Sequence, residues 1–178
     1  MQYSVGNKKL GRDTAIINFT SATDCPSKKL GLCKVCGICY ALKSEKRYPA
    51  CLPYRRRQAE AWQVESVESI KANLAIHKGQ YVRFSEAGDF TTQADIAKLY
   101  ALAEAMPEKT FYGYTARQDL SFANAPHNVV VNGSSFTVHN QFKAVAEYSP
   151  NAIACVGDCR DCNLCKVRTG KTVEVKYH

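Results

Sequence analysis

Short β-rich runs alternate with helical stripes along this chain. Thr14 to Thr20 (TAIINFT) predicts a first strand that runs straight into a cysteine loop at Cys25. From Arg55 to Lys78, the residues Trp62, Val67, Ile70 and Leu74 fall near one face, which predicts a helix capped by Gly79. Tyr81 to Ser85 (YVRFS) predicts a second strand. Thr92 with Asp95 forms a capping-box pattern, and Ile96, Leu99, Ala103 and Met106 make a helical stripe that stops at Pro107. Thr110 to Thr115 (TFYGYT), Asn128 to Val131 (NVVV) and Ala152 to Val156 (AIACV) predict three more strands. Thr172 to Tyr177 (TVEVKY) alternates like an edge strand. Asp119 to Asn124 fits a helical turn, and Phe136 to Tyr148 fits strand or helix equally.

This alternation predicts an α/β fold with a mainly parallel sheet, open or partly closed like a fragment of a (β/α) barrel, in one domain over residues 1–178. In such folds the site lies at the carboxyl ends of the strands. The segments that follow the strands are the Cys25 loop, Glu86 to Asp89, Thr115 to Arg117, Asn132 to Ser135, and Cys155 to Cys165. The topology therefore predicts cysteine-rich loops at one end of the sheet, with two cysteine runs brought to one face.

Composition narrows the chemistry. The 178 residues are 46% apolar, enough for a real core. No run of about 18 apolar residues predicts a membrane span, and Met1 to Asp13 has no secretory h-region. A cytoplasmic setting is the expectation. Nine cysteines there point to metal ligation rather than disulfides. The net charge of +8 lies entirely between Lys28 and Arg57, where nine bases meet one acid, Glu45. That segment either offsets the charge of a bound cluster or binds nucleic acid or a nucleotide.

The first cysteine run is Cys25-Pro26 followed by Cys33-x2-Cys36-x2-Cys39, with Cys51 beyond it. The second is Cys155-x3-Cys159-x2-Cys162-x2-Cys165. Three cysteines at successive spacings of two let a short loop wrap one iron–sulfur cluster, whereas structural zinc uses separated knuckles. These eight cysteines are the metal-ligand candidates, for one or two [4Fe-4S] clusters. Each run supplies its own four ligands, the runs exchange a fourth, or one iron stays open. Cys51 reads as structural. Glu86 and Asp89 are candidate site carboxylates or turn acids. Arg117 and Arg83 could bind a carboxylate or phosphate, with Arg83, inside a strand, alternatively paired structurally. Ser134 and Ser135 could hold a phosphate or form a turn. Tyr112 and Tyr114 read as core, and His77, His127, His139 and His178 show no ligand spacing.

Cys36-x2-Cys39-Tyr40 after a first strand is similar to the cluster loop of radical S-adenosylmethionine enzymes. Ser85-Glu86-Ala87-Gly88-Asp89 resembles their Gly-Gly-Glu segment, which implies Glu86, Gly88 and Asp89 as cofactor-binding residues for S-adenosylmethionine; Arg117, as a carboxylate or phosphate binder, is a further cofactor-binding candidate. The C-terminal run then resembles their auxiliary cluster sites. A closer resemblance is to the bacteriophage gene product eighty-eight family, carried by Cys25-Pro26 through Cys39-Tyr40-Ala41, Val82 through Phe90, Phe111 through Thr115, and the closing cysteine run. The expected function is cluster binding in electron transfer or radical-type redox chemistry, with a redox partner protein. The alternative is a nucleic-acid-binding module that zinc or clusters staple without catalysis. No membrane partner is expected.

Overall fold

The computed structural model, which describes residues 1–177, pairs the apolar runs into one open eight-stranded sheet. Its strands are β1 (Ser4–Val5), β2 (Thr14–Ile17), β3 (Tyr81–Phe84), β4 (Thr110–Thr115), β5 (Val129–Ser134), β6 (Asn140–Val145), β7 (Ile153–Ala154) and β8 (Thr172–Lys176). Their spatial order is β1-β2-β3-β4-β5-β6-β8-β7. Every pairing is parallel except β1 with β2. Neighbours follow chain order from β1 to β6, so the connections wind in one direction.

The helices are α1 (Pro26–Lys29), α2 (Tyr40–Arg47), α3 (Cys51–Val64), α4 (Val67–Ala75) and α5 (Gln93–Glu104). Period-two burial explains the layering. Val82 and Phe84 of β3 enter the main core with Trp62 of α3, Ile70 and Leu74 of α4, and Ile96, Leu99 and Leu102 of α5. Phe19 sits at its centre, 4.4 Å from Trp62 and 4.9 Å from Phe90 between ring centroids. The alternate residues Tyr81 and Arg83 face the other side. There Tyr112, Val130, Phe142 and Val173 make a second core with Cys165. One face of the sheet is thus covered by helices, and the other by the C-terminal cysteine segment.

Several expectations are corrected. The helix expected over 55–78 is two helices. Glu65 turns extended (φ −78°, ψ 147°), and the Ser66 hydroxyl caps α4 by accepting from the Ser69 amide. Gly79 caps neither. A side chain there would meet the Asp13 carbonyl at 2.4 Å, so its place is set by a close backbone approach. The expected edge strand β8 is interior, because the two-residue β7 pairs outside it. Residues 119–124 form turns rather than a helical turn, and the ambiguous stretch 136–148 carries β6. The short α1, α2 and β1 had no periodicity long enough to read. Among the described residues, no helix is long and apolar enough to cross a membrane.

Candidate functional site

The first cysteine run is shaped by short-range backbone rules. Cys25 is the N-cap of α1, and Pro26 sits in its first turn, where a missing N–H costs nothing. After α1, Gly31 adopts φ +69°, and the amides of Leu32 and Cys33 both return to the Ser27 carbonyl. That hook turns Cys33 back toward Cys25. A 3₁₀ turn over Cys36–Ile38 follows, and Cys39 is the N-cap of α2. The Cys36 thiol lies against that of Cys33 and has Cys25 and Cys39 as further sulfur neighbours. Burial pushes the Cys25 thiol up to about 11. Burial and the neighbouring sulfur of Cys33 push Cys36 up to about 12. Unligated, both are neutral thiols, so any metal that binds them must displace protons.

The second run is pinned by side chains from the sheet. Asn132, in the carboxyl half of β5, donates to the Cys165 carbonyl at 3.0 Å and to the Gly113 carbonyl at 3.0 Å. Its own oxygen accepts from Asn140 Nδ2 at 2.8 Å, and Asn140 also holds the Val167 carbonyl. The Lys166 ammonium donates to the Cys159 carbonyl and lies 4.1 Å from the Tyr81 ring centroid. The Cys159 amide donates to the Lys9 carbonyl. The Tyr114 hydroxyl lies against the Cys165 thiol, whose pKa burial nevertheless raises.

The two runs meet at a cavity of about 490 Å³. Cys25, Cys33, Cys36 and Cys39 line it from one run, and Cys155 and Cys159 from the other. Cys162 and Cys165 are not on its wall; Cys159 has both Cys155 and Cys162 as sulfur neighbours. Cys51, the first residue of α3, is also off the wall. Among the described residues, no group of three or more His, Cys, Asp or Glu side chains is set to hold a single metal ion.

The sequence-predicted polar residues divide sharply. Asp89 lies on the wall, but its buried carboxylate already accepts from Ser27 Oγ (2.6 Å), Thr115 Oγ1 (2.7 Å), and the amides of Ala116 (2.8 Å) and Phe90 (2.9 Å). It is a crossbar between the first cysteine loop and the end of β4. Gly88 has φ +71°, and a side chain there would meet the Thr20 carbonyl at 2.5 Å, so backbone packing requires the glycine. Glu86 faces the cavity and lies 3.7 Å from Arg55. Arg117 is not on the wall; it is buried, grips Asp119 through two nitrogens at 2.8 Å, and donates to the carbonyls of Phe90 and Thr91. The Ser135 amide is spent on the Phe142 carbonyl, while Ser134 is on the wall. His139 accepts from the Val131 amide through Nδ1, and burial lowers its pKa to about 4. His77 is buried against Tyr3; His178 lies outside the described residues.

Arg83 behaves differently. It projects from β3 into the cavity wall between the two runs. Its guanidinium stands 5.5 Å over the Tyr114 ring and makes one long bond, 3.3 Å, to the Tyr40 hydroxyl. The Tyr40 hydroxyl in turn donates to the Glu86 carbonyl at 2.6 Å. The residues that sequence reasoning passed over are Ser27, Tyr40, Asn132 and Asn140 in their tethering roles. A buried asparagine ending an apolar strand, as in Val129-Val130-Val131-Asn132, is the signal that could have found the third.

The basic segment is partly consumed by the fold. Arg55 is buried against Glu45 at 3.0 Å and the Ala41 carbonyl, and Arg56 grips Asp24 at 2.8 Å. Lys28, Lys29, Lys34, Lys46, Arg47 and Arg57 remain exposed.

Fold and site together define an α/β protein with an open, mostly parallel sheet and a cavity lined by thiols from two distant cysteine runs. The chain belongs to the Gene product 88 family, whose model matches residues 1–168. No curated protein and no solved structure matches it.

Proposed function

We propose that this protein binds iron–sulfur clusters, one or two of the [4Fe-4S] type, and uses them in electron transfer. The observation that carries this reading is the wall of one cavity lined by six thiols from two runs over a hundred residues apart in sequence. A tetrahedral zinc ion needs thiolates about 2.3 Å from one point. Cysteines at successive spacings of two, as in Cys33, Cys36 and Cys39 and in Cys159, Cys162 and Cys165, fit a cluster, whose irons are each ligated separately. Cys25, Cys33, Cys36 and Cys39 are the ligands of the first site, and Cys155, Cys159, Cys162 and Cys165 those of the second. A bound cluster supplies one-electron transfer. The chain's own residues set its surroundings: Arg83, Lys9 and Lys28 bring positive charge to the cavity wall, and Tyr40 and Tyr114 line it beside them.

Radical-type cleavage of S-adenosylmethionine is a narrower form of the same proposal. In that form the open sheet is a fragment of a (β/α) barrel, a reading supported by chain-ordered strands with helices on one face. Glu86 and the backbone around Gly88 would then meet the cofactor. Asp89 is already saturated with donors and Arg117 points elsewhere, which favours electron transfer. The free thiols suit a reducing cytoplasm.

Anaerobically purified protein is expected to be brown, with about four or eight irons and matching sulfide per chain. Colourless protein with stoichiometric zinc would overturn the proposal. Titration with S-adenosylmethionine under electron paramagnetic resonance separates the two forms, since only an open iron changes its signal.

A second reading draws on the exposed cations between Lys28 and Arg57 and on Tyr48, which is 55% exposed with Arg47 over its ring. There the clusters staple the fold and this surface binds single-stranded nucleic acid. Steeply salt-dependent binding by a redox-silent protein would favour it.

A further inference from the structure

Buried cations in proteins are paired, because an isolated guanidinium out of water costs several kcal/mol. The buried arginines Arg55 and Arg117 obey this rule: Arg55 has Glu45 and Glu86, and Arg117 has Asp119. Arg83 does not. Among the described residues, no carboxylate comes within 4.0 Å of it, and its Nε is buried without a hydrogen-bond partner. Of its five N–H groups, one reaches the Tyr40 hydroxyl, at 3.3 Å. The nearby acids are committed: Asp89 to four donors and Glu86 to Arg55.

This unfilled fork sits at the mouths of both cysteine runs. It shares the wall with Lys9 and Lys28, with the Ser134 hydroxyl, and with apolar side chains such as Leu10 and Phe142. The uncommitted charge of the wall, apart from any a bound cluster brings, is therefore positive. A planar guanidinium with free donors matches the two-oxygen edge of a carboxylate or phosphate. A space of about 490 Å³ falls within the range of small-molecule sites and takes no polymer strand.

We infer that Arg83 anchors a small anionic molecule, bearing a carboxylate or a phosphate, in the cavity between the two cysteine runs. Tyr114, stacked beneath the guanidinium, holds the fork at its angle, and Tyr40 fixes its far edge. The ligand's remaining body lies against the apolar wall, beside the thiols of Cys39 and Cys159. This deepens the cluster proposal by naming the class of molecule that meets the site. It rests on the same cavity, yet it does not require that the thiols hold iron.

The test is calorimetric titration of the full chain, purified without oxygen, with inorganic phosphate and with acetate at constant ionic strength. Wild type is expected to bind at least one probe saturably, and the tighter probe names the anion. Arg83→Gln is expected to weaken that binding about tenfold to hundredfold, while Arg57→Gln, on an exposed surface, leaves it unchanged. Should Arg83→Gln not fold, Arg83→Lys decides, since it keeps the charge and removes the fork; several-fold weaker acetate binding supports the anchor. Absence of saturable binding to both probes, equal binding by wild type and the folded Arg83 variant, or equal loss in Arg57→Gln would each overturn it. Iron and sulfide measured on the same batch keep the two proposals apart. A colourless protein that binds the anion through Arg83 sinks the cluster and leaves the anchor standing; a brown one that ignores both anions does the reverse.

Discussion

Glu45 is the one acid among nine bases between Lys28 and Arg57, and it is buried. Its carboxylate accepts from the amides of Ala22 and Thr23, the Thr23 hydroxyl and Arg55, all at 2.8–3.0 Å. Burial opposes its ionisation, but these donors prevail and hold its pKa below the usual carboxylate range. Removing one partner of a buried pair leaves a stranded charge. Glu45→Ala is therefore expected to cost about 3–5 kcal/mol in urea denaturation. The pH dependence has a definite sign. A depressed folded pKa gives stability that is present above the ordinary carboxylate value and lost as pH falls through the folded one. The stability gap between wild type and Glu45→Gln should thus be full at pH 7 and close as pH drops below about 4; a gap independent of pH would show the carboxylate is not ionised. The likeness of Gly88 to a cofactor segment was legible in sequence, whereas its φ of +71° and its close approach to Thr20 were not. Gly88→Ala should destabilise by at least about 1–2 kcal/mol through the left-handed backbone alone, measurable as a lower melting temperature.

Among the elements, α5 was the most legible and the α3–α4 break the least. The Thr92/Asp95 pattern marked the start of α5, and the Asp95 carboxylate does accept from the Thr92 amide at 3.0 Å. The pattern could not show that Asp95 also accepts from Trp62 Nε1 and Gln63 of α3, each at 3.0 Å. The cap is a tie between two helices. Asp95→Ala should cost about 2–3 kcal/mol, because it leaves the buried indole N–H unpaired, and it should change Trp62 fluorescence; a change of a few tenths would confine Asp95 to local capping. The break at Glu65 was hidden because the apolar stripe continues in phase from Trp62 to Leu74. Only Ser66, an N-cap type within that stripe, marked it. The short α1 and α2 escaped because they are held by neighbours, Asp89 on Ser27 and Arg55 on Ala41, rather than by periodicity.

For the whole molecule, the alternation of strand and helix was enough to predict a mainly parallel sheet, and the loops after β2 and β3 do meet at one cavity. The contacts that build the cavity join residues far apart in sequence, such as Asn132 with Cys165 and Tyr40 with Glu86, and no local pattern encodes them. Charge was only half legible. The +8 segment reads as a uniform basic patch, yet two of its arginines are ion-paired within the fold, while Arg83, on the cavity wall with no carboxylate within 4.0 Å among the described residues, lies outside the segment. Ligand assignment belongs to this scale too. Cys36→Ala and Cys162→Ala should each lower iron content and lower the melting temperature, and Cys51→Ala should leave iron unchanged. Unchanged iron in both of the first two would mean the ligands are elsewhere.

Whether thiols from two distant runs hold iron–sulfur clusters is decided by iron and acid-labile sulfide per chain in anaerobically purified protein. About four or about eight of each, in equal number, are expected. Zinc in their place, with no sulfide, would contradict cluster binding.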